Sequence, residues 1–491
     1  MIRDFGCLGG NRFIILALSL AFLSINLATI IAYNATFVSM VHLESSPLWP
    51  LAENQTKEDV DWNSCDLPLG QRRFLFGTPH KIFGFAGGYL GAIAAVVPTS
   101  ELIRQFGCHK VMTISGLAAT FLVSTTPFVI SWSFPCFVVL RVLQGFTLAP
   151  LFTVAGCVVT EWSTPEERGL FIGVLSAHIE AGAVFIMPVS GAVAASFGWP
   201  WVFFLIGLIL GPLTVLWAAY YRDRPENHPF VQDNEWRKIS FGKKLDESGK
   251  TTRTPFRRIL SSAVIWSVWL AVIGNFLVSQ FAVAFAPIYL NKVIGLTPRD
   301  AGVMTLIPMA CLLVIKFCTG FFSDRIKSIS ELTKMRLFNT IALLGSAPSI
   351  PPLILLIPGS AVFFILLSCM DPGDSLIADF VLLSIPMVLL GFSSGGYSKC
   401  AIVVSGKYSP FVMAVVQIMA CSSMMAGSLI VPALTPNDTL REWQRVFTVY
   451  GLVLACSNTV FVVFASAEPA KWTRHEVDQT VMEIVMGKDS K

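Results

Sequence analysis

SAHIEAGAVFIMPVSG, residues 176 to 191, is apolar enough to cross a membrane except at His178 and Glu180. An ionisable side chain at bilayer depth costs about 2.5 to 3.5 kcal/mol on insertion scales, so it keeps a partner, a water-filled cavity, or both. The surrounding chain repeats the apolar pattern. Charge-free runs fill Phe13 to Val41, Val111 to Leu140, Ala181 to Tyr221, Ile259 to Asn291 and Tyr408 to Asn437, among others. Of the 491 residues 54% are hydrophobic and 13% charged, against roughly 25% charged in a soluble domain. The chain reads as an integral membrane protein.

A spanning helix takes about 20 residues, which divides the runs into twelve spans: 12–36, 80–103, 110–131, 135–160, 168–192, 199–221, 261–290, 301–323, 336–358, 377–399, 409–434 and 445–467. The ninth is interrupted by Pro348, Pro351, Pro352 and Pro358, and its outer end either stops there or runs on to Cys369. The first reads as a membrane helix rather than a cleaved leader, because its apolar run is long and ends in AYNAT. The predicted fold class is an all-α membrane protein of twelve transmembrane helices in two six-helix repeats.

Lys and Arg beside the spans set the expected orientation. The loop 222–258 carries ten of them, and Arg325, Lys327, Lys334 and Arg336 fall on the same side. Both termini are therefore expected in the cytoplasm, with 222–258 as a cytoplasmic central loop and 468–491 as a cytoplasmic tail. The sequons at Asn54 and Asn437 then land outside, as glycosylation candidates. Asn34-Ala-Thr lies inside span one. The eleven cysteines form no disulfide framework; Cys65 is in an outer loop, with Cys136 near an outer helix end. No zinc spacing occurs. The net charge of +4 arises mostly in the cytoplasmic loops and so reports topology, not nucleic-acid binding.

The central loop separates two halves, 1–221 (with an outer loop at 42–79) and 259–467, and a related signature follows the second span of each. TGFFSDRIK, 319–327, is a G-x-x-x-D-R loop with Gly320, Asp324 and Arg325; PTSELIRQFGCHK, 98–110, is a degraded copy with Arg104 and Gln105 at the acid and base positions. A glycine lets helices approach closely, and an acid at a helix end meets a base or the next N-terminus, so these three residues read as a conformational latch. With RVLQG (141–145), TEWSTPEERG (160–169), AGAVFIMPVSG (181–191), GWPWVFFLIG (198–207) and RPENHPFVQDNEWRKI (224–239), the chain resembles the major facilitator superfamily. Within it, the order and spacing are similar to the anion-cation symporter family of sialin, the vesicular glutamate transporters and the sodium-phosphate cotransporters. That resemblance implies a carrier with its site between the halves. Thr164, Pro165 and Glu167 also read simply as a helix-start cap, and Gly182, Pro188 and Gly191 as packing and bending residues.

The family's organic-anion carriers use arginines in helices one, four and seven and a glutamate after the fourth-helix arginine. Here Arg141 matches one, while Ala32, Val278 and Leu148 stand at the other three positions. The remaining polar intramembrane residues are Asn34, Gln144, His178, Glu180, Asn275, Gln280, Lys316 and Lys399. Arg141 is expected to anchor the anion, with Gln144, Asn34, Asn275 and Gln280 as further substrate contacts. Glu180 and His178 are the ion-coupling candidates. Glu180 is expected either to exchange between Arg141 and a proton, or to form a fixed pair with Arg141 or a lysine. Two residues apart on a regular helix, His178 and Glu180 point in different directions, so one of them should meet a neighbouring helix. Lys316 is read as reaching toward the helix end, and Lys399 as either there or in the cavity.

An enzyme is not expected: G-x-S-x-G at Gly391 to Gly395 lies in an apolar span, without the strand-turn-helix of a nucleophile elbow, and there is no P-loop or H-E-x-x-H. The function that the resemblance implies is secondary transport of small organic anions or inorganic phosphate, coupled to protons or sodium. Its alternative is a non-transporting sensor or scaffold that keeps the fold. The expected partners are a small anion, a coupling proton or sodium ion and the lipid bilayer; the expected state is a monomer without cofactor or metal, in a plasma or vesicular membrane.

Overall fold

The computed structural model describes residues 10–40, 74, 78–240, 255–296, 298–326, 328–343, 359–370, 376–435, 439–470 and 472–473. Asn54, Cys65 and Asn437, and with them the sequon and cysteine expectations that rest on them, lie outside the described residues.

Helices dominate the described chain, in the order of the expected crossings: α1 (Asn11–Met40), α2 (Thr78–Phe106), α3 (Cys108–Trp132), α4 (Phe134–Leu148 and Leu151–Trp162), α5 (Arg168–Ser176 and His178–Phe197), α6 (Pro200–Tyr220) and α7 (Ala263–Gln280, then Ala286–Lys292). There follow α8 (Pro298–Arg325), α9 (Glu331–Leu343 and Ser360–Cys369), α10 (Leu376–Leu389 and Tyr397–Ser405), α11 (Ser409–Leu434) and α12 (Leu440–Phe464). Eleven are long and apolar enough, as single or joined segments, to cross a membrane, and α9 contributes a shorter apolar helix, Ser360–Cys369. Among the described residues no strand pairing forms a sheet.

The ninth crossing, expected over 336–358 with an outer end that stops there or runs on to Cys369, is described over Glu331–Leu343 and Ser360–Cys369. It is made of a 13-residue and a 10-residue helix, whose ends meet where Ser360 Oγ lies 2.6 Å from the carbonyl of Ala342 and 2.7 Å from that of Pro386. The proline-rich 344–358 lies outside the described residues. Pro150 and the GFSSGG run mark breaks in α4 and α10. In α5 the break falls at Ala177, where His178 Nδ1 sits 2.7 Å from the carbonyl of Leu175.

Small residues set the packing inside the first six crossings. A Cβ on Gly145 would fall 2.7 Å from the backbone nitrogen of Ala92, so the last residue of RVLQG lets α2 and α4 touch backbone to backbone. α1 packs on α5 and α6, and α3 on α6; in the second set α7 packs on α11 and α12, and α9 on α12. The sets meet along α2 with α11, α4 with α11, and α5 with α8.

Side chains from the central loop close the loop side of the first set. Asn11 Nδ2 and the Arg12 backbone N–H each donate to the Glu235 carboxylate at 3.1 Å, satisfying donors that the start of α1 leaves open. Asp223 accepts from the His109 N–H at 2.8 Å, so the acid missing from the degraded loop reaches the start of α3 from beyond α6. Burial raises the Asp223 pKa, against the lowering effect of that N–H. The expected cap of span five begins one turn later than a Pro165 start: residues 165–167 form a turn and the helix opens at Arg168. Thr164 Oγ1 donates to Glu167 at 3.0 Å, and Arg12 pairs with Glu167 at 2.7 Å.

Candidate functional site

Two polar clusters bridge the two sets of helices. In the first, Lys316 Nζ of α8 lies 2.8 Å from Glu180 Oε2 of α5 and donates to the carbonyl of Ser176 at 3.2 Å. Both side chains are about 95% covered, at 4% and 5% exposure. Lys316 stands nine residues before Arg325, about 14 Å by helix rise, and Glu180 twelve residues after Arg168, about 18 Å. Both distances lie near half of a hydrocarbon core of about 30 Å. Lys316 therefore does not reach toward its helix end; a carboxylate at its own depth holds it.

Beside the pair is a cavity of about 30 Å³, room for a water or two rather than a substrate. Lys316, His178, Ser176, Tyr397 and Ser398 form its polar wall, and Phe152, Phe276, Met413 and Val416 lie among its apolar residues. His178 is 1% exposed and its Nε2 has no hydrogen-bond partner; its ring meets Phe152 edge-on at 5.2 Å. His178 lines the cavity, while Glu180 spans to α8.

The second cluster ties α1 and α2 to α7 and α11. The Tyr89 hydroxyl donates to Gln280 Oε1 at 3.3 Å, and Gln280 Nε2 donates to Ser428 at 2.8 Å. Asn34 sits against the Tyr89 hydroxyl with its own Oδ1 unpaired. Asn275, on α7, is buried with its Oδ1 unpaired.

Arg141 occupies a different setting. Nε donates to the Gly84 carbonyl at 3.0 Å, Nη1 to Gln144 Oε1 at 2.9 Å and to the Ile30 carbonyl at 3.4 Å, and the guanidinium covers the Tyr33 ring at 4.8 Å. Gln144 passes the link to Thr126 at 2.9 Å. The expected Arg141 to Glu180 pair is thus not formed in this conformation; backbone carbonyls compensate the arginine and a lysine compensates the glutamate.

On the loop side a vestibule of about 840 Å³ opens between the sets, lined by Glu167, Arg168, Arg325, Glu331 and Lys399. Lys399 belongs there, 3.1 Å from Glu331 and 3.0 Å from Ser323 Oγ. Of the three latch residues, Gly320 packs on α5, where its Cβ would lie 2.7 Å from the Gly169 carbonyl oxygen and 3.0 Å from the Gly173 Cα. Arg325 covers the Phe321 ring at 4.3 Å. Asp324 is the penultimate residue of α8.

Sequence reasoning missed Tyr89, Phe152, Phe276 and Tyr397. One signal was present: Pro150 in span four and GFSSGG in span ten interrupt the fourth crossing of each half, and paired interruptions point to a carrier's site. The segments just after those breaks supply Phe152, Tyr397 and Ser398 to the cavity.

Residues 27–372 match the family model described as Major Facilitator Superfamily. Mouse sodium-dependent phosphate transport protein 3 is 22% identical over 432 residues, covering 87% of this chain and 86% of that protein. Human sialin is 23% identical, covering 79% and 76%, and the mouse probable small intestine urate exporter 21%, covering 78% and 75%. A solved structure of the proton:xylose symporter XylE superposes with a TM-score of 0.64 at 12% identity, covering 93% of this chain and 96% of that one.

Proposed function

The chain belongs to the major facilitator superfamily, and from that premise we propose that it is a secondary active carrier of small organic anions or inorganic phosphate. It works by alternating access, with a proton or sodium ion as the coupling ion. The halves 1–221 and 259–467 rock against each other, joined by 222–258, with both termini and the tail 468–491 in the cytoplasm. Gly320, Asp324 and Arg325 latch the cytoplasmic side, and Asn34, Gln280 and Asn275 line the path on the other side of the cavity.

One observation carries this reading: the buried Glu180 to Lys316 pair at 2.8 Å, which joins the two halves beside the cavity. A buried pair is a costly way to brace a bundle, because desolvation opposes the Coulomb gain. A carrier gives the pair a use. An arriving anion replaces Glu180 on Lys316, the released carboxylate takes a proton, and the bond between the halves opens. Lys316 thereby takes the anchoring role expected of Arg141, whose donors are mostly committed to Gly84, Ile30 and Gln144.

The test is counterflow of radiolabelled anions in proteoliposomes made with the full chain. Lys316→Gln should abolish exchange, Glu180→Gln should keep exchange but lose accumulation driven by a pH gradient, and Arg141→Lys should retain measurable exchange. A chain that exchanges no anion across a panel of carboxylates and phosphate is not a carrier of this class, and the sensor reading then replaces it.

A further inference from the structure

Two of the cavity's polar residues, Lys316 and His178, differ in kind, and the difference restricts what they can hold. Lys316 offers N–H donors and one positive charge. Its charge is matched by Glu180, so with the pair in place the site is neutral, and exchanging Glu180 for a ligand leaves room for one negative charge. His178 offers the opposite. Its Nδ1 lies 2.7 Å from the Leu175 carbonyl oxygen, which can only accept, so Nδ1 carries the proton and the neutral ring turns a lone pair outward at Nε2. His178 lines the cavity, and its Nε2 is buried and without a partner. An unpaired buried acceptor is costly, so a ligand bearing a donor gains from reaching it.

Much of the remaining lining is apolar: Phe152 and Phe276 meet edge to face at 5.8 Å, and with Met413 and Val416 they line the same cavity as Lys316 and His178. Inorganic phosphate surrounds itself with four oxygens, and here some of them would face carbon, each losing its water without replacement. An organic body fits that lining and buries apolar surface against it.

We propose, on the carrier reading above, that the ligand is an organic monoanion with an O–H or N–H donor on a compact apolar body. Its anionic group binds Lys316, its donor binds His178 Nε2, and its body packs on Phe152 and Phe276; inorganic phosphate is not bound. His178 is then a specificity-determining residue. In a closed conformation with only about 30 Å³ free, the ligand is admitted when the halves part.

The experiment measures inhibition of counterflow, and thermal stabilisation of the purified full chain, by 3-hydroxybenzoate, benzoate and inorganic phosphate. The wild type should bind 3-hydroxybenzoate about five- to tenfold more tightly than benzoate, the value of one neutral hydrogen bond, and phosphate not measurably. His178→Phe, which keeps the edge-on ring contact, should bind both aromatic anions equally. Equal binding of the two by the wild type overturns the assignment of His178 without needing any variant. Phosphate binding in preference to both overturns the substrate class while leaving the carrier reading intact. No binding or exchange of any of the three overturns both.

Discussion

Replacing Gly320 with alanine places a methyl carbon 2.7 Å from the Gly169 carbonyl oxygen and 3.0 Å from the Gly173 Cα. Both obstacles are backbone, so no side-chain rotation relieves them. Ordinary van der Waals contact begins near 3.4 Å, and α5 and α8 must separate by about 0.7 Å to restore it. Overpacking of that kind costs about 1 to 3 kcal/mol. Because the contact lies between the two halves on the loop side, the cost falls on this conformation and not on one in which those ends have parted. The equilibrium between them should therefore move about 5- to 150-fold toward the parted state. Hydrogen-deuterium exchange on the purified chain reads this directly: amides of 168–176 and 316–325 should exchange faster in Gly320→Ala. Gly191→Ala is the control, since nothing lies within 4 Å of its added methyl. Equal exchange in the two variants would refute the idea that this close approach holds the loop-side ends of α5 and α8 together.

Lys316→Gln leaves Glu180 as an uncompensated buried charge and should destabilise the chain by about 3 to 5 kcal/mol, whereas the double variant with Glu180→Gln should recover much of that loss. Thermal unfolding in detergent decides it: single and double variants melting alike would mean the pair is not coupled. Asp223 has a raised folded-state pKa, so its contribution is most favourable below the ordinary carboxylate range and is lost as pH rises through the raised value. Asp223→Asn keeps an acceptor for the His109 N–H, and it should raise the melting temperature more at pH 7 than at pH 4; a pH-independent effect would contradict burial as the cause. Glycosidase should shift the mobility of the wild type but shift Asn54→Gln less or not at all, and a tag within 222–258 should escape labelling on intact cells. Labelling of that tag would reverse the expected orientation.

The twelve crossings, their helical class and the family were legible because each depends on local quantities: the length of an apolar run, its lack of charge, and motif spacing along one chain. The positions of Glu180, Lys316 and Arg141 inside apolar segments were legible for the same reason. Their partners were not. Glu180 and Lys316 are 136 residues apart and belong to different halves, so only the packing of α5 on α8 brings them to 2.8 Å. Arg141 is satisfied largely by the carbonyls of Gly84 and Ile30, and every residue carries a carbonyl, so no sequence pattern marks the ones that are used. His178 lines the cavity while Glu180 meets Lys316 of α8, and which neighbour each of the two meets depends on how the helices pack. The ninth crossing follows the same division. Its prolines announced an interruption, but the joining of Ser360 to Ala342 across it depends on neighbouring helices that hold the two ends together. Composition and spacing thus determined that this chain spans a membrane as two related halves. Which charges meet between those halves was decided by tertiary packing alone, because pairing depends on depth and facing, and neither exists until the helices are side by side.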